Sequence, residues 1–282
     1  AQCLVGSEMC IRDRFNYSPS GYFYNHEINR HLSNGNKIFS AHEKEVQKCL
    51  SQYITEDGII NGTDLKEHWF SITKKDIFIS HSHCDINKVK AFAGWLHDCF
   101  GLEAFIDSCS WGYCDDLLNK IDKKYCYDSK KKTYDYHLRN YTTSHVHMML
   151  STALAEMMDN TECIIFFNTP NTINLEDELD KINGKNKEIT TSPWIYHELS
   201  MTTMLQRKQP KRSEMIMEHS SQQSRYDLKV KYDVTKALNE MIDLEDNHME
   251  EWYELWNKQT KELGYKGEAL DTLYEIVFPQ SR

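Results

Sequence analysis

The sequence predicts an α/β protein with a central parallel β-sheet of about five strands, flanked by helices. Short apolar runs followed by polar residues alternate with longer stretches in which apolar residues recur at helical spacing. Apolar runs without polar alternation are typical of parallel strands that are buried on both faces. The 282 residues are enough to bury a core of this size.

The clearest strand lies in the segment DIFISHSHCD, residues 76–85. Ile77, Phe78 and Ile79 form its apolar run, and the polar residues Ser80, His81, Ser82 and His83 predict the loop that follows. Asp85 is suited to the start of a helix and Gly101 to its end. Between them the apolar residues form one stripe: Ile86, Val89, Phe92, Ala93, Leu96 and Phe100.

A second strand is predicted in EAFID, residues 103–107, followed by a polar loop at residues 107–112, DSCSWG. Residues 75–107 therefore form a βαβ unit, and both of its loops leave the carboxyl ends of parallel strands. Open α/β sheets bind their ligands at that edge. We expect these two loops to line a ligand site.

The remaining elements follow from periodicity in the same way. The segment TECIIFFNT, residues 161–169, predicts a third strand, and residues 123–142 form a polar insertion before it. His145 and His147 are expected to precede a helix and to be structural. The other predicted elements are an amphipathic helix at 144–158, a fourth strand at 214–217, a fifth at 228–232, and helices at 36–53, 250–263 and 269–277.

The segment TSPWIYHEL, residues 191–199, predicts another helix and a pair of chemically useful side chains. Ser192 is a good N-cap and Pro193 suits the first helical position. Trp194 and Glu198 then lie four residues apart on one helix face. An aromatic ring beside a carboxylate suits a nucleotide with a scissile glycosidic bond, although a buried Trp with a solvated Glu is the simpler interpretation.

Together these segments resemble the TIR (Toll/interleukin-1 receptor) domain, in which a Ser-x-Trp-x-x-x-Glu helix carries the catalytic Glu of the enzymatic members. The resemblance covers roughly residue 74 to the C-terminus and implies a flavodoxin-like sheet. It implies that Glu198 is catalytic. The residues that it implies for substrate binding lie in the loops and helix described above: Ser80, His81, Ser82, His83, Asp107, Ser108, Trp111, Asn168 and Trp194.

The closest likeness is to bacterial TIR proteins of anti-phage defence, including the Thoeris type. That resemblance implies a cytoplasmic enzyme for which NAD is the substrate and which needs no cofactor. It also implies self-association through TIR surfaces and a cyclic ADP-ribose-type product that reaches a separate effector protein. Three alternatives stay open: a non-catalytic TIR adaptor, a hydrolase toxin that depletes NAD, and another N-glycosidase on a related fold.

Composition excludes several other classes of protein. The net charge of −10 argues against general affinity for nucleic acid, and no apolar run is long enough to span a membrane. Nine cysteines without a CxxC pair suggest reduced thiols in the cytosol. His81 and His83 are spaced to share a metal, but no convincing third ligand accompanies them, so we expect no metal site.

The beginning of the chain does not follow these patterns. Residues 1–14, AQCLVGSEMCIRDR, show no periodicity, and most of the segment resembles a translated sequencing adaptor. We expect residues 1–14 to be non-native or disordered. Residues 15–73 are then a partly helical N-terminal extension, and residues 74–282 form the TIR-like domain.

Overall fold

The computed structural model describes residues 13–49, 75–106, 108–175, 188–205, 232–262 and 268–278. In chain order, the strands are β1 Asp13–Tyr17, β2 Ile77–Ser80, β3 Ala104–Ile106, β4 Tyr127–Asp128, β5 Thr133–Tyr134, β6 Cys163–Phe167, β7 Asn174–Leu175, β8 Glu188–Thr190, β9 Tyr232–Asp233 and β10 Ile242–Leu244. The helices are α1 Tyr22–His26, α2 Leu32–Cys49, α3 Ile86–Phe100, α4 Ser108–Ile121, α5 Tyr136–Asn160, α6 Pro193–Met204, α7 Thr235–Asn239, α8 Asp246–Glu262 and α9 Ala269–Val277.

Five parallel strands form the central sheet, in the order β10-β1-β6-β2-β3. This confirms the predicted α/β class and is consistent with a flavodoxin-like fold. A hairpin of β4 and β5 and a small antiparallel sheet of β7, β8 and β9 lie outside it. Within the described ranges, no helix is long and apolar enough to cross a bilayer.

Both faces of the central sheet are buried, as the unbroken apolar runs predict. Successive side chains of a strand point to opposite faces. Accordingly, Ile77 and Ile79 of β2 pack into the cluster beneath α1, α3, α8 and α9, whereas Phe78 packs beneath α4 and α5. Phe166 of β6 joins a third cluster, beneath α6 and α7.

Strand β1 lies inside the sheet, between β6 and β10. Asp13 and Arg14, the last two residues of the segment predicted to be non-native or disordered, begin this strand and are both buried. Phe15 and Tyr17 enter the core on one face, while Arg14 donates to the carbonyl of Leu205 at the end of α6 on the other. The strand is not recognisable from the sequence DRFNY, because three of its five residues are polar and have partners only in the folded chain.

The segment after β1 is also integral to the fold. Helix α2 packs so closely on α3 that a Cβ atom at Gly94 would lie 2.8 Å from the backbone nitrogen of Gly35. A Cβ atom at Gly35 would lie 1.8 Å from the carbonyl oxygen of Lys90. Together with β1, this contact means that the predicted boundary between an extension at 15–73 and a domain at 74–282 does not separate independent packing units.

Residues 123–142 do not form the expected polar insertion without structure. They contain a turn of π-helix, the β4–β5 hairpin and the first residues of α5, whose N-cap Asp135 accepts from the backbone of Leu138 at 2.9 Å. His145 and His147 consequently lie within α5, and the expectation that they precede a helix is wrong.

The predicted fourth and fifth strands, at 214–217 and 228–232, lie outside the described residues except for Tyr232, which belongs to β9. In the central sheet, β1 and β10 occupy the two positions beyond β6. The helix predicted at 269–277 is confirmed as α9, and that predicted at 250–263 begins four residues earlier, as α8.

Candidate functional site

The candidate site lies at the carboxyl ends of β2 and β6, near the middle of the sheet. From β2 the chain crosses to β3 on one side, whereas β6 and β1 lie on the other. The connections therefore diverge between β2 and β6, and such a switch point is where open α/β sheets place their ligands. Ser80 is the last residue of β2, and Asn168 follows the last residue of β6.

Glu198 is brought to this edge by α6. Ser192 caps that helix by accepting from the backbone of Ile195 at 3.3 Å, and Pro193 occupies the first turn, as predicted. The Oγ atom of Ser80 donates to Oε2 of Glu198 at 2.6 Å across 118 residues of sequence. Two residues that the sequence predicts for one site, from separate motifs, are thus in direct contact.

This contact is fully enclosed. Glu198 has 0% of its surface exposed and Ser80 only 2%. Charge-assisted hydrogen bonds are stronger than neutral ones, particularly away from water. The geometry therefore fixes one carboxylate oxygen at the end of β2 and shields it from solvent in this conformation.

A second buried pair extends the site toward β3. Nε2 of His81 lies 2.9 Å from Oγ of Ser108, and Nδ1 lies 3.5 Å from the carbonyl oxygen of Ile79. His81 and Ser108 are both buried. Two consecutive residues therefore contact different neighbours: Ser80, the last residue of β2, binds α6, and His81, which follows it, binds the start of α4.

The expected loop at residues 107–112 is largely helical, because α4 begins at Ser108. Ser and Cys are poor helix formers, so propensity alone favours a loop here, but Leu117 and Ile121 draw the segment onto the sheet. Asp107 lies outside the described residues. Trp111 lies in the first turn of α4, and the description of this segment does not extend to its side chain.

The remaining two residues of the first loop have different surroundings. Ser82 caps a single 3₁₀ turn and accepts from the backbone of Cys84 at 3.4 Å, which is a weak contact. His83 is exposed. Of the four loop residues predicted to bind substrate, Ser80 and His81 are the two that are buried, and the substrate-binding role of all four stays a prediction.

Trp194 contacts both α5 and its own helix. Its ring packs edge-on against His147 of α5 at a centroid distance of 5.5 Å, and against His197 at 6.5 Å. Nε2 of His197 lies 3.3 Å from the carbonyl oxygen of Ser151. Burial lowers the pKa of both histidines. Trp194 therefore joins α6 to α5, and its predicted part in substrate binding stays a prediction.

On the other side of the switch point, Asn168 donates through Nδ2 to Oδ1 of Asn16 at 3.0 Å. Asn16 in turn donates to Oδ1 of Asp243 at 2.8 Å. The ends of β6, β1 and β10 are thereby joined by a line of polar side chains. Asn16 has no recognisable signal in the sequence, because β1 is not predicted.

Asp85 forms a buried polar centre that sequence reasoning missed. It was expected only to start α3, but its Oδ2 accepts from Oγ1 of Thr169 at 2.5 Å and from Nδ2 of Asn171 at 3.0 Å. Burial opposes its ionisation, but hydrogen bonds from Lys88, Thr169 and Asn171 outweigh burial and lower its pKa. Nearby Tyr24 has its pKa raised by burial and by the charge of Asp85. Asp85 thus ties the β2 loop to the β6 loop across the switch point.

The described residues contain no group of three or more His, Cys, Asp or Glu side chains arranged to hold a metal ion. Comparison with known proteins adds no family assignment: no protein-family model, no curated protein and no solved structure matches the chain.

Proposed function

We propose that this chain is a TIR-type NADase that cleaves the bond between nicotinamide and ribose in NAD. The observation that carries the proposal is the contact between Ser80 and Glu198 at the carboxyl edge of a parallel sheet. Two motifs chosen for their resemblance to the TIR pattern meet there through a carboxylate and a hydroxyl. A carboxylate at a switch point is suited to bind or stabilise a sugar.

The chemistry requires little more than this carboxylate. Nicotinamide in NAD is a cationic pyridinium and leaves as a neutral base, so no general acid is needed. The ribose that remains is oxocarbenium-like and needs a negative charge and hydrogen-bond acceptors beside it. In the proposal Glu198 supplies both, and Ser80 holds the carboxylate in one orientation.

The complete burial of Glu198 adds a condition. A catalytic carboxylate must reach the ribose, so side chains around Glu198 must move before NAD binds. The described conformation then corresponds to a resting state. In this proposal the enzyme needs an activating event, which prevents it from consuming NAD continuously.

The fate of the ribosyl cation sets the product. Attack by water gives ADP-ribose, and attack by an adenine nitrogen or ribose oxygen of the same molecule gives a cyclic isomer. From the resemblance to TIR proteins of anti-phage defence, we favour a cyclic ADP-ribose-type signal that acts on a separate effector in the bacterial cytoplasm. Plain hydrolysis that depletes NAD is the competing outcome.

A non-catalytic TIR adaptor is the second candidate, and one observation favours it. Because Glu198 is fully buried and receives a hydrogen bond from Ser80, it also fits a purely structural carboxylate that joins α6 to β2. An adaptor of this kind acts by self-association and has no substrate.

Incubation of the purified chain with NAD, followed by chromatography and mass analysis of the products, distinguishes these candidates. The reaction is run with the protein alone, with a crowding agent and with lysate of phage-infected cells, because the carboxylate of Glu198 is buried in the described conformation. Glu198→Gln is the test variant, and Glu275→Gln, an exposed carboxamide substitution on α9, is the matched control. Nicotinamide release by wild type and the control, but not by Glu198→Gln, supports the enzyme. If folded wild-type protein releases no nicotinamide in any condition, the enzyme is ruled out and the adaptor is favoured.

A further inference from the structure

One part of the molecule projects from the core and carries an unusual surface. It consists of the β4–β5 hairpin and the first part of α5, residues 127–145, and is called here the basic arm. The first residue of α5 that is buried in the core is Val146. Ten helical residues precede it, and at about 1.5 Å per residue they extend roughly 15 Å beyond the core.

The basic arm is held in place by contacts within the arm and by Asp122, which lies just before it in the chain. Oδ2 of Asp122 accepts from Nε of Arg139 at 2.7 Å, and Oδ1 accepts from Oγ1 of Thr142 at 2.6 Å. The guanidinium of Arg139 lies over the ring of Tyr134 at 5.3 Å, and that ring packs against Tyr127 across the hairpin at 5.1 Å. The surface of the arm is therefore organised before any partner binds.

This surface exposes large apolar side chains. Tyr136 is 72% exposed, Tyr141 66% and Met148, just beyond the arm, 65%, and Leu138 is also exposed. Single exposed apolar residues are common, but several on one projecting element are typical of an interaction site. Tyrosine is also one of the residues that contribute most to binding in protein interfaces.

The charge of the arm is opposite to that of the chain. Residues 127–145 contain four Lys and Arg against two Asp, a net charge of +2, whereas the whole chain carries −10. Lys130, Lys131 and Lys132 are exposed at the hairpin turn. The remaining residues together therefore carry a net charge of −12.

The acidic complement lies on α8. Residues 245–254 contain five Asp and Glu and no Lys or Arg. Trp252 packs α8 into the core, which leaves Glu250, Glu251 and Glu254 exposed beside Tyr253. Helix α8 covers the face of the sheet opposite to α5, because their core residues belong to the two different clusters. The basic and acidic surfaces therefore lie on opposite layers of one molecule.

We propose that the basic arm of one copy of this chain binds the acidic face of α8 on a second copy, in a head-to-tail contact. A contact between two different surfaces repeats from copy to copy and builds a ring or a filament. A second copy fits better than a polyanion, because the net charge of −10 opposes nucleic acid at long range and the arm presents apolar anchors as well as charge. The proposal goes beyond the proposed enzymatic function and does not depend on it.

Charge reversal on the full chain tests the proposal. Lys130→Glu/Lys132→Glu reverses the arm, and Glu250→Lys/Glu254→Lys reverses α8. Lys37→Glu/Lys236→Glu is the matched control, since it changes net charge by the same amount at exposed positions elsewhere. Sedimentation velocity over a range of concentrations measures self-association of each protein, of wild type, and of an equal mixture of the two reversed variants.

The expected result is that wild type and the control self-associate, that each reversed variant associates at least about tenfold more weakly, and that the mixture recovers association. Raising salt from about 0.1 M to about 1 M, which shortens the Debye length from about 10 Å to about 3 Å, should weaken the wild-type contact.

Wild type that stays monomeric at every concentration overturns the proposal, and so does a mixture that does not recover association when each variant is folded by circular dichroism. A fluorescent oligothymidylate is added as a polyanion probe. Tight binding of this probe by monomeric wild type, lost in Lys130→Glu/Lys132→Glu, assigns the arm to nucleic acid instead.

Discussion

Replacing Glu198 with Gln separates a catalytic carboxylate from a structural one, because the substitution removes charge and keeps shape. The Oγ atom of Ser80 donates to Oε2 of Glu198 at 2.6 Å, and the amide oxygen of Gln can accept the same bond. The packing of α6 against β2 is therefore retained. What disappears is the negative charge that the proposed mechanism uses at the ribose.

The magnitudes follow from the burial of this contact. A hydrogen bond to a charged group contributes about 1.5–3 kcal/mol and a neutral one about 0.5–1.5 kcal/mol, so Glu198→Gln weakens this bond by roughly 1 kcal/mol. Removal of a fully buried charge offsets part of that loss. We expect Glu198→Gln to change the free energy of unfolding by no more than about 1 kcal/mol. Ser80→Ala, which leaves the buried carboxylate one donor short, should lose about 2 kcal/mol.

Two assays on the same preparations are needed. Urea unfolding followed by circular dichroism gives the free energy of unfolding for wild type, both single variants and the double variant, and hence the coupling between Ser80 and Glu198. Nicotinamide release from NAD gives turnover. Loss of a group that stabilises the transition state by electrostatics costs about 10²–10³ in turnover, and Glu198→Gln should reach at least that range.

The reasoning is refuted by either of two results. Undiminished turnover in folded Glu198→Gln shows that the charge plays no part in catalysis. A loss of more than about 3 kcal/mol of stability in Glu198→Gln shows that the charge is needed for folding, as expected when breaking a buried ionic network. The second result favours the structural carboxylate of a non-catalytic adaptor.

The other predictions concern the fold and the contacts of α6. Phe15→Ala should cost about 3–5 kcal/mol, the usual cost of truncating a buried aromatic, whereas Tyr136→Ala at an exposed position should cost less than about 0.5 kcal/mol; equal effects in urea unfolding would contradict the place of β1 in the core. Burial lowers the pKa of His147 and His197, so their contribution to stability is complete above the ordinary histidine pKa and is lost as pH falls through the folded-state values. When unfolding is measured between about pH 8 and pH 5, His147→Gln/His197→Gln should lose less free energy of unfolding than wild type as the pH falls below the ordinary histidine pKa of about 6.5. Trp194→Phe should keep both stability and KM for NAD, because the ring packs between helices, and a large rise in KM would show instead that it contacts substrate.

Much of the sheet was predictable, because its central strands are apolar runs with a single interpretation. The runs at β2 and β6 consist of residues that are buried on both faces of the sheet, so no alternation with polar residues obscures them. Helix α6 was predicted to the residue at its start, because Ser192 and Pro193 are local signals that need no tertiary information.

Strand β1 was missed for the opposite reason. Its burial depends on partners that are far away in sequence: Arg14 binds the end of α6, and Asn16 binds Asp243 and Asn168. Polar residues of this kind look like a loop until the neighbouring strands are known. The same reason explains Asp85, whose partners Thr169 and Asn171 follow a different strand.

The candidate site shows what local sequence patterns can predict and what they cannot. Glu198 lies inside the predicted helix, and Ser80, predicted to begin a loop, is the last residue of β2, but the contact between them depends on the order of the strands. Trp194 shows the limit, since spacing places it on the same helix face as Glu198, yet its ring turns toward α5. A helix face about 100° wide can cover two neighbours at once, and here it joins the sheet edge through Glu198 and the helical layer through Trp194. If Glu198 is opened to a substrate by a movement of α6, the contact between α6 and α5 changes as well, and the packing of Trp194 then reports that opening.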